Sequence, residues 1–253
     1  MAALVIMVAA VSACGDSGMQ LVWADEFDYT GLPDRAKWGY EVGRIRNAEW
    51  QYYTWGRAEN AYVQDGVLTI TAQRDNFEGE GITSASLTTR ETFTFTYGKV
   101  AVRAKVPAGR GVWPAAWMLG TDIDTAGWPR CGEIDIMEYV GFEPNTLHFT
   151  VHTERYNHMR GTQKTRRLET VDPSQGFHEY AIMWDPQKVE FFFDGAKVHE
   201  FINEGTGEAA WPFDSPMYLI LNLAIGGTWG GQQGVDEAIF PARYVIDYVR
   251  VYQ

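Results

Sequence analysis

The segment CGEIDIMEYVG, residues 131–141, sets three acids, Glu133, Asp135 and Glu138, among the apolar residues Ile134, Ile136, Met137, Tyr139 and Val140. The apolar residues suit a buried β-strand, and burying an unpaired carboxylate there is costly. Either the acids face solvent or they do chemistry. Side chains alternate along a strand, so Glu133 and Asp135 share a face with Met137 while Glu138 falls on the other. One extra residue around Ile136–Met137, a β-bulge, returns Glu138 to the face of its two companions. The two Glu Cα atoms then lie about 13 Å apart at ~3.3 Å per step. Side chains leaning together can close to the ~5–5.5 Å that retaining glycoside hydrolysis requires, short of the ~6.5–9.5 Å of the inverting reaction. In such a pair an ionised carboxylate attacks the anomeric carbon, and a protonated one delivers its proton to the departing oxygen. Asp135, between them, is placed to hydrogen-bond the attacking group and tune its charge. The residues alone leave open which Glu attacks.

Composition is compatible with a sugar ligand. The chain has ten Trp and thirteen Tyr, and the apolar face of a pyranose stacks on a flat aromatic ring. Trp113 and Trp117 flank a Pro-Ala-Ala step and share a face in extended chain, which makes them one candidate aromatic wall; Trp128 stands just before the acid strand. A net charge of −12 argues against nucleic acid or an anionic membrane surface as partner.

The elements that must hold these residues are strands. GVLTITAQR (66–74), MYLILNLAIGG (217–227) and YVIDYVRVYQ (244–253) read as strands, and 179–201 carries turns at Asp185-Pro186 and Asp194-Gly195. Residues 92–109 read as two alternating strands turned at Gly98. Segment 41–60, polar and aromatic without a period, is expected to form loop surface over one sheet. Helical periodicity, internal repeats and low-complexity linkers are missing from the sequence. The pattern predicts an all-β, antiparallel β-sandwich forming a single domain over residues 20–253.

GEIDIMEYVG resembles the signature of glycoside hydrolase family 16, in its bulge-bearing branch of laminarinases, agarases and carrageenases. The resemblance extends from about residue 21 to the end, through LVWADEFDYTGLPDRAKWGYEVG, ENAYVQDGVLTITAQR, TTRETFTFTYGKVAVRAKVPAGRGVWPAAWMLG, LNLAIGGTWGG and IDYVRVYQ. It implies a β-jelly roll whose concave sheet forms a sugar cleft, with Glu133 as nucleophile, Asp135 as its helper and Glu138 as acid/base. It also implies that Trp113, Trp117 and Trp128 line the cleft, that His152 lies near Glu138, and that Asn60 and Arg90 hydrogen-bond sugar hydroxyls. His148, four residues before His152, lacks a third zinc ligand nearby and is expected to be strand packing; the YNH at 156–158 is left unassigned. A structural Ca²⁺ held by Glu26, the Gly66 carbonyl and Asp247 is implied on the convex face, with no cofactor for catalysis.

The activity this implies is endo-acting, retaining hydrolysis of β-1,3-glucosidic bonds in laminarin-type glucan. A β-1,3-1,4-glucanase or galactan hydrolase on the same scaffold, or a non-catalytic β-glucan-binding protein, are the alternatives. The only cysteines are Cys14 and Cys131. MAALVIMVAAVSAC resembles a bacterial lipoprotein signal ending at Cys14, so residues 1–19 are read as signal and tether of a secreted or outer-surface (periplasmic) lipoprotein. Cleavage there leaves Cys131 unpaired. A monomer without a membrane-spanning segment is expected.

Overall fold

A computed structural model describes residues 18–253 except residue 171. The signal-like segment and Cys14 lie outside the described residues. Two sheets face each other. The inner one has seven strands in the order Lys164–Glu169, Thr146–His152, Glu133–Tyr139, Val112–Gly120, Met217–Ile225, Ser86–Thr88 and Gly39–Glu41, all antiparallel. The outer one has ten, with Gly98–Lys105 flanked by His178–Trp184 and Ala242–Tyr252 near its centre. Among the described residues helix is confined to single turns such as Ile123–Ala126, as the lack of helical periodicity predicts.

Alternation explains why the sheets pack. Along Val112–Gly120, Val112, Ala116 and Met118 join the core between the sheets, while Ala115, Trp117 and Leu119 belong to a second apolar cluster with Tyr218 and Ile220 on the opposite face. The outward face of this strand forms the apolar floor of a cleft, so both faces of the strand carry apolar residues. The core itself is rich in aromatic rings, including the fully buried Phe27, Phe149, Phe191 and Tyr244.

Residues 92–109 contain one strand, Gly98–Lys105, rather than two. Thr92 and Phe93 donate backbone N–H bonds to the Thr89 carbonyl, and Phe93 stacks between Trp23 and Phe95, so the apolar alternation there serves ring packing around a turn. Gly98 sits at φ +126, and a Cβ there would stand 2.2 Å from the Tyr252 carbonyl oxygen, so only glycine fits.

The termini of the described chain meet on the outer sheet: Leu21–Asp25 pairs with Ala242–Tyr252, and Gln20 and Gln253 exchange backbone hydrogen bonds. The same register gathers the residues expected around calcium. Glu26 follows Asp25, which faces Val249; Gly66 precedes a strand whose Leu68 faces Ile246, next to Asp247. Oxygen donors of this kind suit Ca²⁺. Arg250 binds both oxygens of the Glu26 carboxylate at 2.8 Å, and Arg103 donates to Asp247. A cation here therefore competes with two guanidinium groups.

Candidate active site

The acid strand, Glu133–Tyr139, carries the bulge. Against Thr146–His152 the register runs Glu133 to His152 and Asp135 to Thr150, then shifts so that Glu138 faces His148. On the other side Asp135 faces Trp117, and the shift brings Glu138 opposite Ala115. The extra residue is absorbed at Ile136 and Met137, both fully buried in the core. Two consecutive apolar side chains thus turn inward and three acids turn outward, all lining one cleft of about 1220 Å³ on the inner sheet.

Each glutamate is fixed by an indole. Trp128 Nε1 donates to Glu133 Oε2 at 2.8 Å, and Trp113 Nε1 donates to Glu138 Oε1 at 3.0 Å. His152 Nε2 lies 3.6 Å from Glu133 Oε1 and 3.4 Å from Asp135 Oδ2. Burial, with His158 alongside, pushes His152 down to about 3, so the ring is neutral. Trp117 lies in the cleft floor with its Nε1 donating to Asn222 Oδ1 at 2.7 Å. Arg90 lines the cleft, its guanidinium over Tyr218 and paired with Asp124 on the rim.

Desolvation dominates the electrostatics. Burial raises Glu133 to about 7, against the hydrogen bond from Trp128 and the charge of Arg46. Glu138 is raised to about 8 by burial and then by the Glu133 charge. Asp135 is pushed well above the carboxylate range by burial and by both glutamates. Its Oδ2 is buried and makes no hydrogen bond among the described residues, His152 Nε2 at 3.4 Å lying outside bonding geometry. Burial and the two glutamates favour the protonated form of Asp135, which can hydrogen-bond Glu133. As pH rises, the coupled acids lose their protons in steps, so that one carboxylate can be ionised while another still holds a proton.

Glu133, Asp135 and His152 also bring ligand atoms within 4.8 Å of one another.

Asn60 requires a correction. It is fully buried away from the cleft, accepting from Thr54 Oγ1 at 2.8 Å and donating to the Thr71 carbonyl at 3.0 Å and Thr83 Oγ1 at 2.9 Å. With its amide committed to the scaffold, Asn60 cannot meet sugar hydroxyls. His148 departs from expectation in the other direction: it lines the cleft, bonds Glu143 at 3.1 Å and packs edge-on to Trp229. The ring of the unassigned His158 lies 4.8 Å from that of Trp128 and supports it.

Segment 41–60 contributes more than loop surface, for Glu41, Arg46, Asn47 and Glu49 all line the cleft. Glu49 accepts from Gln51 at 2.7 Å and Tyr53 at 3.1 Å, and Asn222 Nδ2 donates to Tyr53 Oη at 3.0 Å. This chain of polar groups ends at Trp117. Its only sequence signal is an unusual density of polar and aromatic residues without a period.

Residues 47–250 match the profile of Glycosyl hydrolases family 16. The chain is 51% identical to the beta-glucanase of Rhodothermus marinus over 244 residues, covering 92% of this chain and 85% of that protein. It superposes on the X-ray structure of the laminarinase from Rhodothermus marinus with a TM-score of 0.90, covering 93% and 97% of the two chains. A second solved structure, a non-specific endo-β-1,3(4)-glucanase co-crystallised with 1,3-β-D-cellotriosyl-glucose, is 46% identical with a TM-score of 0.90, covering 94% of this chain and 95% of that one. Fold, bulged acid strand and relatives agree: the chain belongs to glycoside hydrolase family 16.

Proposed function

We propose that the protein cleaves internal β-1,3-glucosidic bonds of laminarin-type glucan with retention of configuration. The observation that carries this reading is the bulge, which sets Glu133 and Glu138 on one cleft wall, where burial raises both above the usual carboxylate range. Glu133, ionised first and held by Trp128, attacks the anomeric carbon. Glu138, still protonated and held by Trp113, passes its proton to the leaving oxygen as the glycosidic bond breaks. A glycosyl ester on Glu133 results. Glu138, now a base, takes a proton from water, which attacks the same carbon and releases Glu133 with net retention. The proton shared from Asp135 moderates the charge of Glu133 and leaves as little uncompensated charge as possible in a buried site.

The names of the two Rhodothermus proteins support β-glucan as the substrate class. The non-specific β-1,3(4)-glucanase among the relatives favours one second reading, cleavage of mixed β-1,3-1,4-linkages as well. The test is a panel of laminarin, lichenan, agarose and carrageenan scored for new reducing ends. Product is expected from laminarin first, with the β-anomer appearing first by proton NMR. An initial α-anomer rules out double displacement, and product from agarose or carrageenan alone rules out the glucan reading.

Two accessory readings belong with this one. A polymer cannot enter a cell intact, which favours action outside the cytoplasm, by secretion or through a lipid at Cys14. Calcium held by Asp247, the Gly66 carbonyl and Glu26 would tie the chain ends together on the outer sheet, far from the reacting bond.

A further inference from the structure

The family resemblance leads to the expectation that Trp117 offers its ring face to a sugar. In the structure another residue covers that face. The Arg46 guanidinium carbon lies 4.8 Å from the Trp117 ring centroid. Trp117 is only 8% exposed, whereas the Arg46 side chain above it is 18% exposed. Anything entering the cleft here meets a guanidinium before it meets an indole.

Several contacts hold Arg46 in place. It pairs with Glu41, which is itself anchored by Ser86 Oγ at 2.6 Å. The two residues after it, Asn47 and Ala48, have φ of 53 and 51, a left-handed conformation unfavourable for non-glycine residues and retained only where the surroundings enforce it. The surroundings do so. Thr228 N–H donates to the Asn47 carbonyl at 2.8 Å, and Asn47 Nδ2 donates to Glu49 Oε1 at 3.2 Å. Asn47 and Ala48 are the central residues of a tight turn closed by the Glu49 N–H on the Arg46 carbonyl at 3.2 Å, which fixes the backbone of Arg46 beside the cleft.

We propose that Arg46 is a substrate-positioning residue, its guanidinium forming the sugar-facing floor above Trp117 and hydrogen-bonding hydroxyls that would otherwise meet an indole face. The guanidinium presents a planar fork of N–H donors; Glu41 engages one nitrogen, and Arg46 lines the same cleft as Glu133. The cation also opposes the effect of burial on Glu133, which links the residue to the pH dependence of the reaction. The inference rests on the proposed glycan hydrolysis.

The experiment compares kcat, KM and the pH profile of kcat/KM for the wild type, Arg46→Met, Arg46→Lys and Trp117→Phe. It is run on whichever polymer of the panel the wild type cleaves fastest, so a substrate other than laminarin revises the specificity and leaves this comparison intact. Arg46→Met keeps an apolar stem over Trp117 and is expected to raise KM about tenfold to a hundredfold, with the acid limb moved to higher pH. Arg46→Lys keeps the charge without the fork, so its acid limb stays in place while KM recovers only in part. Trp117→Phe is expected to raise KM less than Arg46→Met does. The proposal is overturned if Arg46→Met, or Arg46→Lys should the former not fold, leaves KM unchanged or lowers it. It is equally overturned if Trp117→Phe carries the larger loss, as an uncovered stacking ring requires.

Discussion

The inner and outer sheets treat the same chemical group in opposite ways. On the outer sheet Arg250 holds Glu26 below the usual carboxylate range, and Arg57 holds Asp75 at about 2. On the inner sheet burial drives Glu133 to about 7 and Glu138 to about 8, with Asp135 higher still. The one guanidinium near them, on Arg46, is already paired with Glu41. Outer acids are matched by cations at the surface, where a pair contributes little to stability and does no work. Inner acids are desolvated together, with Arg46 only partly offsetting the burial of Glu133, and the resulting reluctance to ionise would let two identical side chains take different roles in the proposed reaction. The active strand is therefore a place where the fold tolerates electrostatic cost for chemistry.

Substituting the inner acids should have the largest effect. Glu133→Gln is expected to lose at least about 10⁴-fold in kcat, and Glu138→Gln about 10²–10⁴-fold on polymer, but far less on an activated aryl glycoside that needs little proton assistance. Near-normal polymer turnover by both variants would dissolve the contrast between the sheets. Next, kcat/KM should rise with pH as Glu133 loses its proton at about 7 and fall as Glu138 loses its own at about 8. The activity window is thus narrow and centred near neutral to slightly alkaline pH, and an optimum below pH 5 would contradict the desolvation argument. The outer sheet should respond through stability instead. If calcium binds near Asp247, excess Ca²⁺ at about 100 times Kd adds ~2.7 kcal/mol, or about 5–10 °C in Tm, reversed by EDTA with kcat unchanged; a flat calorimetric response would exclude the ion. The smallest effect is expected from Arg250→Met. Its partly exposed pair with Glu26 is worth roughly 1 kcal/mol or less, so Tm should fall by at most about 2–4 °C and activity should not move.

How much of this was legible in the sequence follows from how local each feature is. The bulge was readable because Ile136 and Met137 are adjacent apolar residues between acids, a pattern that a regular two-faced strand does not produce. Trp113 and Trp117 were readable as one face for the same reason. Asn60 was misread because a polar residue near a turn carries no mark of whether its amide points to a cleft or into the scaffold; that depends on Thr71 and Thr83, which only the folded chain brings near. Arg46 escaped notice because a strained turn and a cation over a distant ring leave no period behind. His148 was placed in packing since its cleft partners, Glu143 and Trp229, come from separate loops.

The irregularity between Asp135 and Glu138 also limits what kinds of change this strand can survive. Swapping Ile136 or Met137 for another apolar residue of similar size alters only how well the interior fills. Deleting either one removes the surplus residue and should leave the three acids alternating on one face of a regular strand, without the bend and added twist that the bulge imparts. Here the count of residues sets how the two glutamates are aimed at each other, which no replacement at the same two positions alters.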